Sequence, residues 1–168
     1  MTSQKTAPVA SAFVVPAGGD RNGKPIYLLG DEILVKVSSR DTGGVFCVLE
    51  GHVPPQGGPP LHRHLAQDEW WHILEGRFLF EVDGKQIPAV SGDTVYAPRG
   101  TAHTFLNVGG TAGRTLVSAI PGNLDIFFQE LSEMVPRGAT PDPAMLAPLF
   151  AKYGLELLGP PMSAREER

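Results

Sequence analysis

The sequence predicts an all-β protein, a jelly-roll barrel of two packed antiparallel sheets, followed by one or two C-terminal α-helices. Its 20 glycines and 16 prolines are spread along the chain rather than gathered in repeats, which is the distribution of many turns and not of a disordered tail. Between them stand short apolar runs at hairpin-like spacing, about ten strand candidates of the kind that build an antiparallel barrel. Only the last quarter changes to a helical period. A length of 168 residues suits one domain, with the barrel over about residues 13–120 and a helical extension over about 123–155.

Met1 to Ala12 lacks either hydrophobic period and is expected to be loose. Phe13-Val14-Val15 is a short strand candidate, stopped by Pro16 and Gly18-Gly19, that would pair along a sheet edge of its own or of a neighbouring copy. After the Asp20–Lys24 turn, Pro25 to Asp31 leads into the β-branched run Glu32 to Val37, and Val45 to Glu50 is the next strand. The loop Pro54 to Pro60 delivers the chain to Leu61-His62-Arg63-His64. On a strand, His62 and His64 share one face and Arg63 takes the other. Glu69 lies at odd spacing from His64, so a turn near Ala66-Gln67 is needed to bring it to the same side. From there Glu69, Trp71 and Ile73 share a face, and Trp70, His72 and Leu74 the opposite one.

Phe78, Phe80 and Val82 alternate on the next strand, and Asp83-Gly84 is a two-residue hairpin turn. Lys85 to Val90 returns, with Pro88 marking an edge or bulge. Thr94 to Ala97 is followed by the turn Pro98-Arg99-Gly100, after which His103, Phe105 and Asn107 alternate, and Thr115 to Ile120 closes the β region. Leu124, Phe127 or Phe128, Leu131 and Met134 or Val135 recur at helical period, with Asn123 as N-cap, Asp125 suited to the helix start and Pro136 ending it. A second helix is expected from Asp142-Pro143 to Tyr153-Gly154, kinked or broken at Pro148. Leu155 to Pro161 reads as an extended tail and Ser163 to Arg168 as a solvated end.

The formal charge of -4 and pI near 5.7 give no electrostatic reason to expect nucleic acid or an anionic membrane. No apolar run approaches the length of a membrane span. Pro8 and Pro16 interrupt the mildly apolar start and no cleavage pattern follows, which argues against a signal peptide and for a cytoplasmic protein. Cys47 is the single cysteine, so no intrachain disulfide forms, and its apolar neighbours make it a small buried hydrophobe.

His62, His64, Glu69 and, from the second stretch, His103 read as one metal site. Three imidazoles and one carboxylate form a borderline-soft set suited to Fe, Mn, Co, Ni, Cu or Zn and poorly suited to Ca or Mg. Histidines on strands hold an ion from one side and leave positions for water, O2 or a substrate oxygen. A structural zinc knuckle needs ligands this chain lacks. Trp71 and Ile73 share a face with Glu69, and Phe105 with His103, so they are candidate pocket walls, with plain barrel core as the competing reading. Phe127 or Phe128 is a candidate cap on the barrel mouth. His52 is expected to be solvent-exposed in a loop, Asp68 and Asp93 to be turn residues, and Arg63 and Arg99 to be either exposed or placed to steer an anion.

These stretches resemble the cupin superfamily. The first cupin motif is matched by His62-Arg63-His64, four residues, Glu69, six residues and Gly76, and the second by Gly92, Pro98, Gly100, His103 and Asn107. One departure is the leading glycine of the first motif, since Gly57 stands one residue closer to His62 than the pattern asks. Within the superfamily the chain is similar to bacterial single-domain proteins like quercetin 2,3-dioxygenase, through Gly57 to His64, Asp68-Glu69, Phe127-Phe128, Pro141-Asp142-Pro143 and Tyr153 to Pro161.

The resemblance implies one divalent transition metal on His62, His64, Glu69 and His103, with Glu69 as general base for a substrate hydroxyl. It implies a dioxygenase that takes an aromatic or enolic small molecule and O2, and a homodimer. A metal-dependent isomerase or decarboxylase, or a barrel that binds a small molecule without turnover, would use the same four ligands.

Overall fold

The computed structural model describes residues 11–163. Eleven strands and two helices follow in the order β1 (Ile26–Leu28), β2 (Asp31–Val37), β3 (Cys47–Val53), β4 (Pro60–His64), β5 (Asp68–Glu75), β6 (Arg77–Val82), β7 (Lys85–Val90), β8 (Thr94–Ala97), β9 (His103–Asn107), β10 (Gly113–Ile120), α1 (Leu124–Met134), α2 (Pro143–Lys152) and β11 (Leu155–Pro161). They form a six-stranded sheet, β1-β2-β3-β10-β5-β8, and a five-stranded sheet, β11-β4-β9-β6-β7, and the recorded pairings are antiparallel. This is a jelly roll whose two sheets do not close into a true barrel. The helices cover one open side, α1 packing on β1 and β3 and α2 on β11.

Strand parity decides what lies between the sheets. Along β5 the burial alternates, Glu69, Trp71 and Ile73 inward and Trp70 and His72 only half-buried. Phe78 and Phe80 of β6 face the same interior. The core runs continuously from these aromatics to Leu124, Phe127 and Leu131 of α1 and Leu146, Leu149 and Phe150 of α2. Cys47 is fully buried within it. Asp83 and Gly84 both take positive φ, 48° and 73°, the geometry of a two-residue hairpin turn that Gly tolerates at no steric cost.

Several expectations are corrected. Phe13-Val14-Val15 forms no strand, and Val14 is 89 % exposed; the Phe13 ring is instead held under the Arg21 guanidinium, 4.2 Å from its centroid. The third strand begins at Cys47 and runs on to Val53, so His52 lies in a sheet, half-buried, between Glu50 at 2.9 Å and Glu32 at 3.1 Å. Pro148 neither breaks nor ends α2. At most one helical hydrogen bond is lost there, and burial of Leu146, Leu149 and Phe150 on both sides of it holds the turn. Asp142 caps that helix by accepting from Ala144 N at 2.9 Å.

Asn123 stands at the N-cap of α1, but its side chain makes no cap bond. Leu155 to Pro161 is a strand paired with β4 rather than a free tail, putting Leu155 opposite His64 and Leu157 opposite His62. The expectations for Met1 to Ala10 and for residues 164–168 lie outside the described residues. No helix among the described residues is long and apolar enough to cross a membrane.

Candidate metal centre

His62 and His64 come from β4, Glu69 from the first turn of chain into β5, and His103 from the start of β9, directly opposite His62 in the sheet. All four are buried, at 8 %, 1 %, 4 % and 2 % exposure. One ligand atom from each lies within 4.8 Å of the others. Two donors on opposite sides of an ion with bonds of about 2.1 Å stand about 4.2 Å apart, so the cluster is close to one ion wide.

The hydrogen bonds around the ring nitrogens fix which of them face inward. His62 Nδ1 donates to Pro60 O at 2.8 Å and His103 Nδ1 to Thr101 O at 3.1 Å. A carbonyl oxygen only accepts, so both rings carry their proton on Nδ1 and turn Nε2 towards the centre. His64 Nδ1 meets Gln67 Oε1 at 2.9 Å. The Gln67 amide nitrogen is oriented by Pro121 O and Gly122 O, both at 2.9 Å, and by Asn123 Oδ1 at 3.1 Å, which leaves its oxygen for the histidine. His64 Nε2 is then a buried nitrogen without a hydrogen bond. It stands 3.1 Å from Glu69 Oε2 but is not aligned to bond it. An orphaned imidazole nitrogen beside two others and a carboxylate is the arrangement a divalent transition metal satisfies.

The electrostatics of the four side chains suit a divalent cation. Burial, joined by the neighbouring His103 and His64 rings, pushes His62 down to about 3, so it is neutral at ordinary pH. Burial opposes a proton on His64, yet the Glu69 carboxylate outweighs it and raises that pKa. Burial would likewise raise Glu69, but the adjacent His64 and His103 hold its carboxyl well below the usual carboxylate range. Protons and a metal ion therefore compete for His64.

The signs give two pH windows. The raised His64 stabilises the metal-free fold below the ordinary histidine pKa, and that contribution is lost as pH rises through the folded value. The depressed His62 contributes above its ordinary value of 6.5, and that contribution is lost as pH falls towards about 3. Metal affinity is expected to rise with pH as His64 gives up its proton. Metal titrations and denaturant unfolding of the metal-free chain between about pH 5 and 9 check both trends.

Gln67 was visible in the sequence only as part of a turn. It is 6 % exposed and ties a ligand on β4 to the chain leading into α1. Ser39 continues the link: its backbone and hydroxyl both donate to Asp125, and its Oγ accepts from Asn123 N. Thus Asp125 holds Ser39 as well as lying in the first turn of α1. Replacing Gln67 with leucine is expected to weaken metal binding by roughly 10- to 100-fold while the chain stays folded, checked by competition with a coloured chelator and by circular dichroism.

The other candidate residues separate. Trp71, Phe105 and Phe127 line a cavity that opens on His62 and Glu69, and Phe128 joins them. Ile73, although it shares the inward face, is packed in the core and is not among the lining residues. The Trp71 ring stands edge-on to His103, centroids 5.4 Å apart. Neither arginine is free to steer an anion: Arg99 grips Asp68 with Nε at 3.0 Å and Nη2 at 2.8 Å, and Arg63 pairs with Glu156 of β11. Asp93 closes its turn on Val90 N. Asn107 is buried, its amide donating to Val53 O and Thr111 O, both at 2.9 Å, so it anchors the end of β9.

Position 56, where the first motif places glycine, holds Gln56 at a φ of 61°. The backbone demand is present there although the glycine is not.

The fold and the four inward donors define a metal-binding jelly roll. Residues 49–119, which contain all four donors, match the family model of the cupin domain. It is 34 % identical over 59 residues to the oxalate-binding protein of Thermotoga maritima, covering 35 % of this chain and 49 % of that protein. It is 30 % identical over 80 residues to quercetin 2,3-dioxygenase of Bacillus subtilis, covering 47 % of this chain and 24 % of that protein. The chain therefore spans half or less of the length of these curated relatives. Among solved structures, KdgF from Halomonas sp. superposes with a TM-score of 0.59 over 70 % of this chain and 99 % of that one, at 15 % identity.

Proposed function

We propose that the chain is a metal-dependent dioxygenase for an aromatic or enolic small molecule of flavonol type. The observation that carries this reading is the cavity reaching the metal centre. His62 and Glu69 stand at its wall, and apart from these, Asp31, Thr115 and two glycines the lining is hydrocarbon. Such a cavity accepts a flat apolar body and presents it to the ligands.

A metal on the four donors would supply Lewis acidity to a substrate oxygen and, when redox-capable, electron exchange with O2. The chain's own residues do the rest. Trp71, Phe105 and Phe127 exclude water and bound the plane of an aromatic ligand. Glu69 is the one carboxylate beside the donor cluster and so the candidate acceptor for a substrate hydroxyl proton. Its depressed pKa makes it a weak base, so its effectiveness would rest on position and on loosening from its partners. The relative that binds oxalate supports a second reading, a binding or decarboxylating protein, but a small dianion gains little from hydrocarbon walls.

An oxygen electrode with the metal-loaded chain and a flavonol panel tests the proposal. Oxygen uptake matched to flavonol loss is the expected result. Turnover without O2 would move the assignment to isomerase or decarboxylase, and tight binding without turnover to a binding protein.

A further inference from the structure

The cavity contains one carboxylate that the metal centre does not use, Asp31. Asp31 opens β2 and has the same parity as Ile33 and Val35, both buried, so its side chain turns between the sheets. It lines the same cavity as His62 and Glu69. In sheet order β3 and β10 separate β2 from β5, which carries Glu69, a lateral span of roughly 14 Å at ordinary strand spacing. Asp31 therefore marks the far end of a largely apolar chamber whose near end is the metal centre.

Its partners set it apart. The residue as a whole is half-buried, yet Oδ1 is fully buried and has no hydrogen-bond partner. Every other aspartate among the described residues accepts a hydrogen bond, as Asp83 does from Ala102 N and Asp93 from Val90 N. A turn aspartate with a purely local role bonds its own backbone in this way. An unpaired buried acceptor is costly and calls for a partner that arrives from outside. Burial alone, with no opposing charge or donor, pushes the carboxyl up to about 7.

We infer that Asp31 is a second ligand anchor, accepting a hydrogen bond from a hydroxyl or ammonium group at the far end of an elongated apolar ligand whose other end meets the metal centre. The inference rests on the cavity reading above and narrows its substrate class to molecules with a metal-binding oxygen at one end and a hydrogen-bond donor at the other. Thr115 lines the chamber between the two anchors, since it pairs with Gly51, which in turn pairs with Ile33 of β2. The remaining length selects for an apolar body.

The test uses zinc-loaded chain, because zinc is redox-inert and exchanges no electrons with O2. Affinities for 3-hydroxyflavone are compared with those for 3,4'- and 3,7-dihydroxyflavone, and octanoate with 8-hydroxyoctanoate, in wild type, Asp31→Leu and Asp31→Asn. The expected result is about tenfold tighter binding of a donor-bearing member in wild type, erased in Asp31→Leu and reduced in Asp31→Asn, with the donor-free member unaffected. Should Asp31→Leu not fold, a loss of preference in Asp31→Asn carries the same weight. No preference in any pair, a preference that survives both substitutions, or no binding of any probe would overturn the anchor. Failure of all flavonols with an Asp31-dependent preference for 8-hydroxyoctanoate would sink the flavonol reading and leave the anchor standing. Flavonols that bind without preference would do the reverse.

Discussion

His103→Ala is expected to lower affinity for a divalent transition metal by more than about 100-fold. Its ring supplies one of three Nε2 donors, is held by Thr101 O and lies 3.1 Å from Glu69 Oε2. Its removal leaves a carboxylate and two imidazoles with one side of the ion open, and it takes away one of the two partners that hold Glu69 ionised. His72→Ala is the control: that ring is on the outer face of β5, bonded to Thr94 Oγ1, and its loss should leave affinity unchanged. Cobalt titration followed by visible absorption measures both. Equal affinity in His103→Ala and wild type would show that the ion sits elsewhere.

Gly58→Ala is expected to cost roughly 3 kcal/mol of stability. A Cβ at Gly58 would lie 1.9 Å from Phe105 O, a backbone atom of β9 that no rotamer change can move. The segment before β4 runs tightly along β9 here, with Gln56 N donating to Asn107 O, Asn107 N to Gly57 O and Thr104 Oγ1 to Pro59 O. Relief of the clash requires β4 and β9 to part, and these strands carry three of the four donors. Urea unfolding should show the loss, and cobalt titration should show weakened binding in the same variant. Gly84→Ala, where a Cβ meets nothing within 4 Å, strains only a φ of 73° and should leave the metal centre intact.

What the sequence made legible follows from the range of the interactions involved. His62 and His64 share a face because parity is a property of adjacent residues, and the bend at Leu65-Ala66 that returns Glu69 to that face lies within the same short stretch. The hairpin at Asp83-Gly84 and the cap at Asp142 are likewise local. The contacts that reading missed are made across the chain. Gln67 is held by carbonyls at 121 and 122, distant in sequence. Leu155 to Pro161 holds Gly159, Pro160 and Pro161 and lacks a strand's usual composition, yet pairing with β4 overrides local preference. Asp31 follows a glycine in a turn, and only the sheet order shows that its carboxyl enters the cavity rather than solvent. Phe13 to Val15 shows the converse, an apolar β-branched run with no partner strand to fix it.

The measurement that tests the account most directly is metal analysis of the wild-type chain purified without chelators. One transition-metal ion per chain is the predicted result, with its absorption or paramagnetic signature perturbed when a flavonol is added. A chain that holds no metal under those conditions, and takes up none from solutions of iron, manganese, cobalt, nickel, copper or zinc, would contradict it.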